Sequence, residues 1–143
     1  MRKFSWLLLL VLFTGFIFFN SSMSAETSHN ASSLLAQWLD SFYSAVGDPM
    51  PVDRLEARLR KLAHLAEFAM LAVIMVNTFI AWRISNRVAS GYILFLGLAV
   101  AVADEYIQLS VPGRNAQITD IVLDFCGIFI IWCCRQIWLW SKK

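Results

Sequence analysis

Four long apolar runs constrain this 143-residue chain more than any other feature: Phe4–Phe19, Leu65–Ile84, Gly91–Leu109 and Ile121–Trp140. Crossing about 30 Å of hydrocarbon takes roughly 20 helical residues, and each run is close to that length. Inside lipid the backbone must satisfy its own hydrogen bonds, so a run of this kind spans as a helix. With 59% hydrophobic and only 15% charged residues, the chain is too apolar for a soluble domain of its size. The expected fold is therefore all-α: a four-helix transmembrane bundle. Its spans lie at about 4–20, 63–84, 90–109 and 119–140, with a loop at about 21–62, in a single membrane domain over 1–143. The first run follows Arg2 and Lys3 and precedes Ser-Met-Ser-Ala, so a cleaved signal peptide is the competing reading of that segment.

Charge placement orients the spans. With both ends on one side, that side carries Arg2, Lys3, Arg83, Arg87, Arg135, Lys142 and Lys143 and no acidic residue. All ten carboxylates fall on or near the other side, together with Arg54, Arg58, Arg60, Lys61 and Arg114. Seven basic residues against five favour cytoplasmic termini in a multi-pass protein of the cytoplasmic (inner) membrane. The loop at 21–62 and the stretch 104–124 then face outward. A net charge of +2 spread over membrane flanks gives no footprint for nucleic acid. Cys126, Cys133 and Cys134 share the last span without metal-finger spacing and read as packing residues.

Between the first two runs, NSSMSAETSHNASS is a polar segment. It leads into SSLLAQWLDSFYSAVG, where Leu34, Leu35, Trp38, Leu39, Phe42 and Val46 recur at helical spacing. This helix is too short to span. It suits an extracytoplasmic interfacial helix between spans 1 and 2, with Trp38 at headgroup depth, or a helix packed on the outer ends of the bundle. Pro49 and Pro51 break the chain, Asp53 with Glu56 forms a capping-box pattern, and one helix then runs to Trp82. Arg83, Asn86 and Arg87 mark the next turn, Pro112-Gly113 the one after, and the fourth span begins near Ile118.

This topology gathers polar residues at one depth. His64 and Glu67 are three apart on span 2, Asp104 and Gln108 are helical neighbours beside Glu105 on span 3, and Asp120 and Asp124 lie one turn apart on span 4. Arg114 sits in the turn between spans 3 and 4, with Arg60 and Lys61 nearby in sequence to His64. Carboxylates near lipid cost several kcal/mol unless paired, so these groups should face one another or a wet cavity. Arg114 bridging Asp104 or Asp120, with His64 donating to Glu67 or Asp104, would make a register-fixing network without chemistry. Against that stands a surplus of acids, which must hold protons or attract a cation. A divalent metal on His64 and nearby oxygens, or His64 as general acid or base, are the chemical readings. Neither spacing is specific, and no nucleophile motif accompanies them.

RKLAHLAEFAML at 60–71 with DEYIQLSVPGRNAQITDIVLDFCG at 104–127 resembles the VanZ-like family of small integral membrane proteins, named for a member associated with teicoplanin resistance. The resemblance covers nearly the whole chain and carries over Arg60, Lys61, His64, Glu67, Asp104, Glu105, Gln108, Arg114, Asp120 and Asp124. Phe68 stands where tyrosine is common, and Ala72 where many relatives have glycine. The resemblance implies an uncleaved first span and a role in the cell envelope, linked in some relatives to glycopeptide resistance, but no particular reaction or cofactor. The leading expectation is an outward-facing pocket that binds a lipid headgroup or cell-wall precursor. The alternatives are a membrane-embedded hydrolase or transferase acting on a lipid-linked substrate, and an assembly subunit of an envelope complex. Membrane lipids are the expected partners. Transport is disfavoured because almost no ionisable residue occupies the middle of any span.

Overall fold

The computed structural model describes residues 2–23, 52–114 and 117–142, the side chains of residues 52 and 53 excepted. Four helices follow in order: α1 Arg2–Ser22, α2 Val52–Ala81, α3 Asn86–Leu109 and α4 Ile118–Trp140. The interfacial helix expected around Trp38 lies outside the described residues, as does the Asp53 side chain of the expected capping box. Three helices, Arg2–Ser22, Arg54–Ala81 and Asn86–Leu109, are long and apolar enough to cross a membrane. The sequence reading expected four such spans. The remaining helix, α4, is 23 residues long and carries Asp120, Asp124 and Arg135 along its length.

Apolar residues cover both the inside and the outside of the bundle. Ile17, Phe68, Leu71, Ala72, Met75, Ile93, Ala101 and Ile128 form the core, while Phe95 is 70% and Leu12 61% exposed on the exterior. An apolar exterior on this scale suits hydrocarbon as solvent. Helix α2 has 30 residues, about 45 Å of rise, and so outruns a 30 Å hydrocarbon layer by some ten residues.

The most extensive packing joins α2 to α4. Gly127 is what brings them together: a Cβ there would sit 2.5 Å from the Leu65 carbonyl oxygen and 3.0 Å from the Ala69 nitrogen. Small residues at such crossings let membrane helices approach backbone to backbone. The connection from α3 to α4 turns at Pro112-Gly113, where Gly113 adopts φ 80°, a left-handed conformation suited to glycine. Helix α1 closes the remaining side against α2 and α3. At its N-terminal end Trp82 Nε1 donates to the Lys3 carbonyl at 3.3 Å, and Lys3 Nζ lies 5.2 Å from the Trp82 ring centre.

Within α2, Asn77 Nδ2 donates to the Val73 carbonyl at 2.8 Å. One sequence expectation is corrected. The cysteines do not fill the core: Cys126 and Cys134 are exposed and Cys133 is half-buried, because their side of α4 faces away from the other helices.

Candidate functional site

The ends of α2, α3 and α4 nearest the Pro112-Gly113 turn enclose a cavity of about 270 Å³. Arg60, Lys61 and His64 reach it from α2, Gln108 from α3, and Asp120, Leu123 and Asp124 from α4, with Arg114 and Gln117 at the turn. On α2, Arg60 and Lys61 lie four and three residues before His64, a spacing that brings both onto the side of the helix that His64 occupies. The same holds for Asp120 and Asp124, four residues apart on α4.

At the outer edge Lys61 Nζ pairs with Asp120 Oδ1 at 3.1 Å, both side chains partly exposed. Lys61, not Arg114, therefore bridges Asp120. Deeper in, His64 Nδ1 lies 3.7 Å from Asp124 Oδ1 and 4.0 Å from Asp104 Oδ2, beyond hydrogen-bond reach of either. Asp104 is fully buried. Its Oδ1 accepts a hydrogen bond from the Ser21 hydroxyl of α1, and its Oδ2 accepts one from Gln108 Nε2 at 2.8 Å. Asp124, also buried, has no hydrogen-bond partner for either carboxylate oxygen among the described residues.

Three expected members stand apart from the cavity wall. Glu67 turns toward α1, where Asn20 Nδ2 donates to its Oε1 at 3.1 Å. Glu105 accepts the backbone N–H of Gln117, pinning the start of α4 to α3, while its Oε2 is buried without a partner. Asp104 lies behind Gln108 and His64 rather than on the wall. The expected bond from His64 to Glu67 does not form, since the two side chains turn to different helices. Sequence reasoning missed Asn20, Ser21 and Gln117. Asn20 and Ser21 sit at the end of span 1, at the same depth as the other polar residues, and that shared depth was the available signal.

The cationic side of the cavity is strained. Arg60 Nε and Arg114 Nε are buried without hydrogen-bond partners. Burial first, then the neighbouring Arg60 charge, pulls the Arg114 guanidinium below its ordinary range, while Asp104 and Glu105 act in the opposite sense. Arg114 remains a cation, because no such shift deprotonates a guanidinium near neutral pH. Two like charges held near one wet space favour an anion between them. The site thus has two chemically distinct halves, a rim with two cations and an acidic side where Asp124 lines the cavity beside His64, with Asp104 behind them.

The sequence pattern of the VanZ/LLP1 family matches residues 6–139. No curated protein and no solved structure matches the chain.

Proposed function

The chain belongs to the VanZ/LLP1 family, and from that premise we propose that it is a cell-envelope membrane protein whose cavity binds a phosphate-bearing headgroup, of an envelope lipid or of a lipid-linked cell-wall precursor. In this reading α4 is the fourth span, both ends face the cytosol, and the cavity opens outward. Glycopeptide antibiotics such as teicoplanin act on that outer side, so an effect on resistance follows from occupying or presenting such a ligand there.

The carrying observation is the pair Arg60 and Arg114, two half-buried cations facing one cavity, each with a buried Nε that has no hydrogen-bond partner. A phosphate would take those donors and relieve the repulsion between them. Asp120, Gln108 and Gln117 line the same space and offer partners for the amines or hydroxyls of a headgroup. Lys61 supplies a third cation, half engaged by Asp120.

The test is native mass spectrometry of the detergent-purified chain with short-chain phosphatidylglycerol and with a polyprenyl phosphate. Arg114→Ala should weaken binding of one or both by at least tenfold while the amount of protein in the membrane stays unchanged. In cells, Arg114→Ala and Glu105→Gln should abolish any envelope or resistance phenotype at constant protein level. Unchanged binding in Arg114→Ala would contradict the reading. A phenotype lost only in step with protein level would assign these residues to a purely structural network.

His64, beside two carboxylates and open to the cavity, supports a second reading: a membrane-embedded hydrolase or transferase in which His64 serves as general base. Turnover of a bound lipid-linked phosphate that disappears in His64→Gln while binding persists would select it.

A further inference from the structure

We propose that His64, Asp104 and Asp124 form a binding site for one divalent metal ion at the edge of the cavity, which His64 and Asp124 line and behind which Asp104 stands. One potential ligand atom from each residue lies within 4.8 Å of the others. They come from three different helices, α2, α3 and α4, so the site is a product of the fold and not of a local acidic run.

The charge balance fits a dication. With both carboxylates deprotonated and the imidazole neutral, as a bound metal requires, the three side chains sum to −2, and both carboxylates are almost wholly withdrawn from solvent, Asp104 at 0% and Asp124 at 1% exposure. No lysine or arginine within ion-pairing distance neutralises either of them among the described residues; Lys61 is committed to Asp120. Uncompensated anions in a low-dielectric setting are among the most costly arrangements a protein can hold.

Asp124 supplies independent support. Both of its oxygens are buried without a hydrogen-bond partner, and the residue lines the cavity. A buried carboxylate with neither oxygen engaged is rare in native structures and calls for an unseen ion or water. Asp104 has the complementary character of a pre-oriented ligand. Ser21 and Gln108 each donate to one of its oxygens, which fixes the carboxylate plane and leaves a further lone pair on each oxygen. Metal-binding carboxylates are held in this way by neighbouring donors.

The distances are those of a site that closes on its ion. Ligands at about 2.1 Å from a shared metal lie roughly 3.0–3.4 Å apart, for angles near 90° to 110°. His64 Nδ1 stands 3.7 Å and 4.0 Å from the two carboxylates, so modest side-chain rotation suffices. One imidazole nitrogen with two carboxylate oxygens suits Mn²⁺, Fe²⁺ or Zn²⁺ better than a thiolate-seeking ion. Three protein ligands leave positions open toward the cavity, below Arg60 and Arg114. This goes beyond the headgroup reading and does not require it, since the three side chains alone define the ion.

The test uses the full-length chain in detergent, stripped with a chelator and titrated with MnCl₂ and with ZnCl₂ by calorimetry. One ion per chain with micromolar or tighter affinity is expected. Asp124→Asn and Asp104→Asn should each weaken it at least tenfold, and Asp120→Asn, beside the same cavity, should not. Should the aspartate variants fail to fold, pulsed electron paramagnetic resonance of Mn²⁺ on the unaltered chain decides: coupling to a single imidazole nitrogen supports the site, and its absence overturns the proposal. Millimolar-only affinity in the unaltered chain, or full affinity in Asp124→Asn, also overturns it. The probes separate the two proposals, because Arg114→Ala should lose phosphate binding and keep the metal, whereas Asp124→Asn loses the metal.

Discussion

Replacing Gly127 with alanine tests the packing that assembles the site. The new methyl carbon would lie 2.5 Å from the Leu65 carbonyl oxygen and 3.0 Å from the Ala69 nitrogen, both backbone atoms of α2. A carbon and a carbonyl oxygen tolerate about 3.3 Å, so α2 and α4 must separate locally by about 0.8 Å. No side chain can rotate away to absorb this. Overpacking of this kind costs about 1–3 kcal/mol, outweighing the roughly 1 kcal/mol by which alanine otherwise favours a helix over glycine. The controls are internal: Gly15 and Gly91 have open space where a Cβ would go, and alanine there should be neutral or mildly stabilising. Gly97→Ala should fall between, because its nearest obstacle is the Ile128 side chain, which can shift at some cost in a full core. Unfolding of the four variants in one detergent, by thermal or denaturant melts, gives the ranking. Because Leu65 adjoins His64 and Gly127 lies one turn from Asp124, the 3.7 Å approach of His64 to Asp124 should widen too. Gly127→Ala matching Gly91→Ala in stability would refute the close-crossing account.

Two further outcomes follow from the polar contacts. Ser21→Ala removes the hydroxyl that donates to buried Asp104, and Asn20→Ala removes the amide that donates to Glu67; hydrogen bonds to charged groups are worth about 1.5–3 kcal/mol, so each should lower the melting midpoint measurably and loosen α1 toward proteolysis, and wild-type values would contradict a structural role for α1 at the site. Lys61→Ala should cost under about 1 kcal/mol, because the Lys61–Asp120 pair has side chains 52% and 32% exposed, and a larger loss on the same melts would show that the pair is buried in the membrane-embedded protein.

Much of the helix layout was legible from residues whose chemistry is local. Runs of apolar residues, the Arg83–Asn86 break, the Pro112-Gly113 turn and a start at Ile118 recur as α2, α3 and α4. The family signature was legible too, because its spacing is carried by one helix start and one turn. Pairing was not. Whether Asp120 meets Lys61 or Arg114, and whether Glu67 meets His64 or Asn20, depends on helix rotation and interaxial distance, which hydrophobic periodicity leaves loose by tens of degrees. The contribution of α1 was hidden for a related reason: Asn20 and Ser21 read as ordinary residues at the end of a span until α3 is placed beside them. Gly127 likewise looks like one small residue in an apolar run, and only the neighbouring Leu65 backbone explains it.

The central claim, that charged side chains from separate helices meet around a wet cavity at the outer rim of the bilayer, is tested most directly by cysteine accessibility. With Cys126, Cys133 and Cys134 replaced by serine or alanine, single cysteines at positions 61 and 114 are exposed in intact cells to a membrane-impermeant maleimide. Labelling from outside, slowed by added polyprenyl phosphate, is the expected result. Labelling at position 114 only after the inner side is opened would contradict the account.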